Sequence, residues 1–418
     1  MMDRFIIEGN RHLSGNIMVS GAKNAILPIM AACLLAEGKS VLRNVPNLID
    51  LKTMAHLLRI MGARVEYSGS TMTIDATDTC YFEAPYELVS KMRASIYVMG
   101  PLLARLKEAR VSFPGGCAIG TRPVDLHLMA LEALGAKIEI EHGYIHAKAD
   151  KLYGAEIRFE KSSVGATINT LMAAVFAEGI TKLHNAAMEP EVDSVIEFLN
   201  RMGAKIKGMG TTSLEIEGVE RLFPVEMQMI ADRIEAGTFL IAGAMSDSPI
   251  TVSNCEPTHL KILIDKLYEA GADFEFGDRQ ITIIPPQKIK PVDIISLPYP
   301  GFPTDLQAQF MVLMTLADGV SNIEETIFPD RFMHVAELNR LQANIRMKGA
   351  IATVKGVPEL GGAEVMATDL RASAALVLAG LAAKGTTIVS RIYHIDRGYD
   401  RIEEKLRGLG ANIIRENV

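Results

Sequence analysis

One short phrase returns along the chain at a spacing of roughly 70 residues: a glycine and an alanine, a polar residue, then a residue that favours strands. It reads Met61-Gly62-Ala63-Arg64-Val65, Leu134-Gly135-Ala136-Lys137-Ile138, Met202-Gly203-Ala204-Lys205-Ile206, Ala270-Gly271-Ala272-Asp273-Phe274 and Leu409-Gly410-Ala411-Asn412-Ile413. A weaker copy, Leu341-Gln342-Ala343-Asn344-Ile345, fills the one remaining slot. Repetition at a fixed period means that one structural unit is used several times and that neighbouring copies bury one another. A glycine between an amphipathic helix and a strand is the expected helix C-terminus, because the chain there turns through a left-handed residue.

Each unit also opens alike. Residues Ala25 to Gly38 are apolar nearly all round and end on a glycine, as do Thr167 to Gly179, Phe310 to Gly319 and Ala372 to Gly385. A helix with no polar face must be buried on every side. A strand follows each, then a loop, then the amphipathic helix that leads into the repeated phrase and a two-stranded hairpin such as Tyr67 to Ile74. The predicted fold class is therefore α/β with the usual layering reversed: an inside-out barrel of six helix–strand–helix–hairpin repeats, three per domain, with helices inside and sheets outside. The last unit stops near Arg415 without its second hairpin strand, while the chain begins with an unmatched strand, Arg4 to Arg11. That strand resembles Leu214 to Arg221 of unit three, so it is expected to complete unit six. Residues 21–229 then form an N-terminal domain, and residues 1–20 with 230–418 form the other, giving a clamp with a cleft between its halves.

Composition narrows the function. The net charge of -7 argues against a general nucleic-acid binder, and aromatics at 6% with no tryptophan leave little for stacking on bases. The apolar stretches Ala25 to Ala36 and Ala372 to Ala383 are shorter than the ~18 to 20 residues that span a bilayer, so no membrane association is expected. Four cysteines stand far apart with no CxxC pattern, and the first residues show no basic region followed by an apolar run. A reducing, cytoplasmic setting is the expectation.

The starts of the six buried helices carry charge: Gly21-Ala22-Lys23-Asn24, Lys91-Met92-Arg93-Ala94-Ser95, Lys161-Ser162-Ser163-Val164-Gly165, Ala231-Asp232-Arg233, Phe302-Pro303-Thr304-Asp305 and Thr368-Asp369-Leu370-Arg371. Each is individually explained as a helix cap; together they are a set of anion-binding and proton-accepting groups, since helix N-termini favour anions. Lys23, Arg93, Arg122, Arg371 and Arg397 suit phosphate and carboxylate, and Asp232, Asp305 and Asp369 are candidate general bases. One loop stands out, Pro114-Gly115-Gly116-Cys117-Ala118-Ile119-Gly120-Thr121-Arg122-Pro123-Val124-Asp125. Its glycines and prolines exclude a helix or central strand. A turn with an incidental cysteine and a lid carrying a thiol activated by a nearby cation both fit this spacing. No Walker A, GxGxxG or HExxH pattern occurs, and Glu189, Glu191 and Asp193 make no convincing ligand set, so neither a metal nor a cofactor is expected.

Read together, Ser20-Gly21-Ala22-Lys23-Asn24-Ala25, Met92-Arg93-Ala94-Ser95, the loop from Pro114 to His127, Gly301-Phe302-Pro303-Thr304-Asp305-Leu306-Gln307, Arg331-Phe332-Met333-His334-Val335, Asp369-Leu370-Arg371 and Ile395-Asp396-Arg397-Gly398-Tyr399 resemble the enolpyruvyl transferases that act on UDP-N-acetylglucosamine. The likeness covers essentially the whole chain. It implies transfer of the enolpyruvyl group of phosphoenolpyruvate to the sugar 3-hydroxyl with loss of phosphate, the step that opens peptidoglycan synthesis, with these two small molecules as substrates and no obligate protein partner. It further implies that Cys117 protonates the enol carbon and holds phosphoenolpyruvate covalently. By the same likeness Lys23, Asn24, Arg93, Arg122 and Arg397 line the phosphoenolpyruvate side, and Asp305 is the base at the sugar hydroxyl, supported by Asp369 and Arg371. The sugar nucleotide is implied to meet Arg93, Arg122, Pro123, Val124, Asp125, Leu126, Lys161, Ser163, Val164, Gly165, Asp305 and the backbone at Ile327. Two other readings compete: an enolpyruvyl transferase of the shikimate pathway, which does not need the Pro-Gly-Gly-Cys loop, and a non-catalytic relative that binds UDP-sugars and regulates wall synthesis.

Overall fold

Six buried helices, one per repeat, organise the computed structural model, which describes residues 3–9, 12–90, 92–113 and 124–417. They are α1 (Lys23–Ala32), α2 (Met99–Leu106), α3 (Val164–Ala174), α4 (Arg233–Met245), α5 (Thr304–Thr315) and α6 (Leu370–Ala382). In α4 every residue from Ile234 to Met245 is buried, and in α6 every residue from Arg371 to Ala382. A helix that hides its whole circumference has no use for a polar face, which is why these segments read as apolar all round. Their cost of truncation is correspondingly high: Phe239 and Phe310 are both 0% exposed, and replacing either by alanine costs about 3–5 kcal/mol. The helices start earlier than their apolar runs, because the charged residues at their beginnings form the first turn or the cap. In unit two the α-helix is short and is preceded by a 3₁₀ turn, Arg93–Val98.

Unit one shows the rest of the plan. The strand Lys39–Arg43 follows α1, the amphipathic helix Ile49–Ile60 comes next, and the hairpin Arg64–Ser68 and Thr71–Asp75 closes the unit. Among the described residues there are six four-stranded sheets of this kind, and each contains one strand the sequence did not signal. These extra strands are two to four residues long, too short to show alternation, and each joins its sheet in parallel, as Glu156–Arg158 does with Ile180–His184. In unit six the unmatched first strand does fill the open slot. Arg4–Glu8 runs antiparallel to both Thr386–Ser390 and Asn412–Glu416, with Ile6 opposite Ile388 and Ile414.

The chain divides into two compact units. One holds the described residues of Met1–Ser20 and Ala231–Val418, the other those from Gly21 to Ile230. Each has its own apolar core. The strand just before each passage from one unit to the other stays behind: Gly15–Met18 pairs with Ile250–Ser253 of unit four, and Glu226–Gln228 pairs with Lys39–Arg43 of unit one. Beside the first passage, buried Glu235 accepts from the Ser20 amide at 2.7 Å and from Lys405 Nζ at 2.6 Å, while Lys405 also reaches Ser20 Oγ at 2.7 Å.

Backbone geometry explains two repeat positions. Gly9, Gly218 and Gly356 press onto the carbonyls of Ala383, Ala177 and Ala317, and a Cβ on any of them would fall 1.6–1.7 Å from that oxygen. The equivalence of Gly9 with Gly218 is the closest structural counterpart of the likeness between the first strand and that of unit three. At the glycine of the repeated phrase, φ is 99° for Gly62 and Gly135, 109° for Gly203, 102° for Gly271 and 101° for Gly410; the odd copy, Gln342, still takes φ 67°. A side chain in the left-handed region costs about 1–2 kcal/mol, partly offset by the lower chain entropy of a non-glycine residue when unfolded. Gln342→Gly is therefore expected to stabilise the protein by up to about 1 kcal/mol, and Gln342→Val to destabilise it, as measured by urea unfolding; a loss of stability in the glycine variant would show that contacts of the Gln342 side chain outweigh the backbone cost.

Candidate active site

In the unit formed by residues 21–230, the predicted cationic groups Lys23 and Arg93, among the described residues, sit at helix starts. Lys23 is the first residue of α1 and is buried, with its Nζ 3.3 Å from Asp50 Oδ2 on the neighbouring helix Ile49–Ile60; Asp50 is buried too. A buried ammonium keeps its charge only with such a partner. Asn24 follows, half-buried, and Pro28 four residues on cannot donate to its carbonyl. Arg93 opens the 3₁₀ turn that packs against α1. Val124, Asp125 and Leu126 begin the helix Asp125–Ala133, with Val124 and Leu126 buried and Asp125 exposed. Exposed Lys161 precedes α3, whose cap is Ser163: its Oγ accepts from the Ala166 amide at 3.3 Å.

His127 ties these elements together. Its Nδ1 faces Asn169 Nδ2 of α3 at 2.9 Å, and a Cβ at Gly165 would lie 3.0 Å from its Nε2, so the glycine permits the imidazole to seat there. Accepting from an amide requires a neutral ring, and the electrostatics agree: burial first, and Arg93 second, hold its pKa down at about 4, against a weaker opposite pull from Asp125. His334, in the other unit, is likewise held at about 4 by burial, with Asp369 and Arg331 acting in opposite senses. Because the unfolded chain takes up these protons near pH 6.5 and the folded one only near pH 4, stability present above pH 6.5 is lost as pH falls through that window. At pH 5 the loss is about 2 kcal/mol for each histidine. Urea unfolding at pH 7 and pH 5 checks this, and the His127→Gln/His334→Gln double variant should lose that part of the slope.

The other unit builds an arginine-clamped carboxylate. Asp305 lies in the first turn of α5, its side chain 26% exposed. Arg331 Nη1 donates to its Oδ1 at 2.8 Å, and Arg371 Nε donates to Oδ2 at 3.1 Å, with Arg371 Nη2 3.0 Å from the same oxygen. Both guanidinium groups are buried, at 6% and 2% exposure. Fully buried Glu325 extends the network: it accepts from Thr304 Oγ1 at 2.8 Å and from the amides of Ile327 and Phe328 at 2.9 and 3.0 Å, while Arg331 also donates to Thr304 Oγ1 at 3.0 Å. Behind Arg371, its guanidinium lies 5.5 Å from the centre of the Tyr399 ring, and the Tyr399 hydroxyl meets Thr238 Oγ1 at 2.9 Å and Gln309 Nε2 at 3.3 Å. Burial alone works against the charge on Arg371, but Asp305, Tyr399 and Asp232 outweigh it and raise its pKa. The arrangement holds one partly exposed carboxylate in a fixed orientation, which suits accepting a proton from an incoming hydroxyl.

Asp232 and Asp369, two of the candidate bases, are helix caps. Asp232 Oδ1 accepts from the amides of Ile234 and Glu235, and Asp369 Oδ1 from those of Arg371 and Ala372. Arg397 ends the 3₁₀ segment Ile392–Arg397, half-buried. Cys117, Arg122 and Pro123 lie outside the described residues. Sequence reasoning gave no role to Arg331, Glu325, Asp50 or His127. Arg331 and His334 stood in a motif already noted, but their partners are remote in the chain, and Glu325 reads as an ordinary strand end. Among the described residues no cluster of acidic, histidine or cysteine side chains is arranged to hold a metal, and no helix is long and apolar enough to cross a membrane.

The family model described as EPSP synthase (3-phosphoshikimate 1-carboxyvinyltransferase) matches residues 7–406. Proteins named UDP-N-acetylglucosamine 1-carboxyvinyltransferase are 56% identical in Hydrogenovibrio crunogenus, over 100% of both chains, and 55% identical in Desulfosudis oleivorans, over 99% of both. Among solved structures, the enolpyruvyl transferase NikO from Streptomyces tendae superposes with a TM-score of 0.90 at 27% identity, covering 100% of this chain and 99% of that one. An EPSP synthase from Acinetobacter baumannii superposes at 0.80 over 100% of both chains, and at 18% identity it speaks for the fold alone.

Proposed function

The chain belongs to the enolpyruvyl transferase family, and we propose that it moves the enolpyruvyl group of phosphoenolpyruvate to the 3-hydroxyl of UDP-N-acetylglucosamine with release of phosphate. The observation that carries the choice of acceptor is identity of 53–56% over nearly the full length of relatives bearing that name. The family model carries the name of the shikimate acceptor, whereas the full-length relatives at this identity carry the other name and favour the sugar nucleotide.

The residues divide the chemistry as follows. The Cys117 thiol gives its proton to the methylene carbon of phosphoenolpyruvate, leaving an oxocarbenium-like centre at C2. The sugar 3-oxygen bonds to C2 while its proton passes to Asp305, whose two oxygens are already aimed by Arg331 and Arg371. The Cys117 thiolate takes a proton back from the new methyl group as phosphate departs, which restores both the double bond and the thiol. Lys23, Asn24, Arg93, Arg122 and Arg397 hold the carboxylate and phosphate, and fixed cations stabilise the leaving dianion through preorganised charge. Asp369 acts at one remove, by capping the helix that carries Arg371. The sugar nucleotide meets Val124 to Leu126, Lys161 to Gly165 and the Ile327 backbone, which Glu325 holds in place.

A phosphate-release assay tests the reading. Protein with phosphoenolpyruvate and UDP-N-acetylglucosamine should release phosphate, and replacing the sugar nucleotide by shikimate 3-phosphate should give none. Release only with the shikimate ester would transfer the chain to the other branch of the family. Binding of UDP-N-acetylglucosamine without any release would favour the regulatory relative.

A further inference from the structure

The last strand of the chain carries an arginine on which three carboxylates converge. Arg415, in Asn412–Glu416, donates to Asp396 from Nη1 at 3.0 Å and from Nη2 at 2.6 Å, to Glu403 from Nε at 2.7 Å and from Nη2 at 3.4 Å, and to Asp3 from Nη1 at 3.4 Å. Its guanidinium also lies 5.1 Å from the centre of the Phe5 ring. All three nitrogens are thus engaged, by the residue just before the first strand, by the helix Ile402–Gly408 and by the 3₁₀ segment Ile392–Arg397.

Asp396 is the residue before Arg397. The backbone on either side of this segment is held in an unfavourable region: Arg391 has φ 59° and Arg401 has φ 47°. Side chains adopt left-handed backbone at a cost, and such residues persist only where surrounding contacts over-determine them. The Asp396–Arg415 fork ties the turn between these two points to the sheet. A bidentate guanidinium–carboxylate pair fixes direction as well as distance.

We propose that Arg415 is a positioning residue for phosphoenolpyruvate: through Asp396 it sets the turn that presents Arg397. This rests on the role given to Arg397 above. It also assigns a purpose to the unmatched first strand, which brings Asp3 and Phe5 to the same guanidinium.

The test measures KM for each substrate, kcat and the thermal midpoint in Arg415→Lys, Asp396→Asn, Arg397→Ala and the Arg415→Lys/Arg397→Ala double variant. Lysine keeps the charge and loses the fork. Misplacing a binding group by a fraction of an ångström to one ångström costs up to about 100-fold, so Arg415→Lys and Asp396→Asn should each raise KM for phosphoenolpyruvate about tenfold or more, with KM for UDP-N-acetylglucosamine little changed. In the double variant the Arg415 change should add nothing to the effect of Arg397→Ala, because a residue acting through another is not additive with it. If Arg397→Ala itself leaves the phosphoenolpyruvate KM unchanged, the role of Arg397 is what fails. If Arg397→Ala raises it while Arg415→Lys and Asp396→Asn only lower the thermal midpoint, or raise both KM values alike, the proposal about Arg415 is overturned. Should Arg415→Lys fail to fold, Asp396→Asn alone decides between these outcomes.

Discussion

Replacing Asp305 by alanine is expected to lower kcat by about 10³-fold, within the range for removal of a general base, and to lower stability by about 3 kcal/mol. The two effects have one origin. Arg331 and Arg371 are buried, and both direct their guanidinium groups at this carboxylate. Removing it takes away the proton acceptor and leaves two buried cations with no charge between them. Asp305→Asn separates the effects: the amide oxygen still accepts a hydrogen bond, so part of the stability returns, whereas the proton acceptor is gone and kcat stays low. Steady-state phosphate release and urea unfolding read the two quantities. A kcat within tenfold of the parent in both variants would remove Asp305 from the proton transfer.

The second large effect concerns Cys117. The epoxide fosfomycin should inactivate the protein completely by alkylating this thiol: sulfur bonds to an epoxide carbon, the carbon–oxygen bond opens, and the oxygen takes a proton from water. The other cysteines set the controls. Burial pushes Cys33 up to about 12 and Cys255 up to about 11, so neither supplies thiolate at neutral pH. Cys80 is exposed and is the competitor that must be ruled out. Mass spectrometry should find one adduct, on Cys117, accompanied by loss of activity. Cys80→Ser should remain sensitive and Cys117→Ser should take up no adduct. Full activity after treatment, or inactivation traced to Cys80, would mean that Cys117 is not the activated thiol.

Much of the architecture could be read from the residues because its signals are local. A fully apolar helix, a glycine at the left-handed turn and a strand after it each occupy consecutive positions, and the repeat shows every signal several times. Even the placement of Arg4–Glu8 beside the last strand, over 400 residues away, followed from a likeness between two short segments. The short parallel strands escaped notice because two to four residues carry no period. The passages between the two units gave no sign that Gly15–Met18 and Glu226–Gln228 pair across repeats.

The site divides in the same way. Lys23, Arg93, Asp305, Asp369 and Arg371 stand out because each occupies the start of a repeated helix. What each does there is not local. Asp232, Asp305 and Asp369 look alike in sequence, yet Asp232 and Asp369 direct an oxygen to the amides of their own helices, whereas Asp305 is gripped by arginines 26 and 66 residues away. His127 reads as one histidine among nine, and only its burial against α3 pushes its pKa far below that of a free imidazole.

By itself, then, the sequence determined the repeated unit, its inward helices, the completion of the last sheet and the set of charged groups available for chemistry, since composition and spacing along the chain are enough for those. Only the tertiary structure decided which carboxylate is clamped rather than capping, which cations are buried with partners, and how Arg415 joins both chain ends to the turn that bears Arg397. Those outcomes depend on desolvation and on hydrogen bonds between distant segments, and both are created only when the sheets and helices pack.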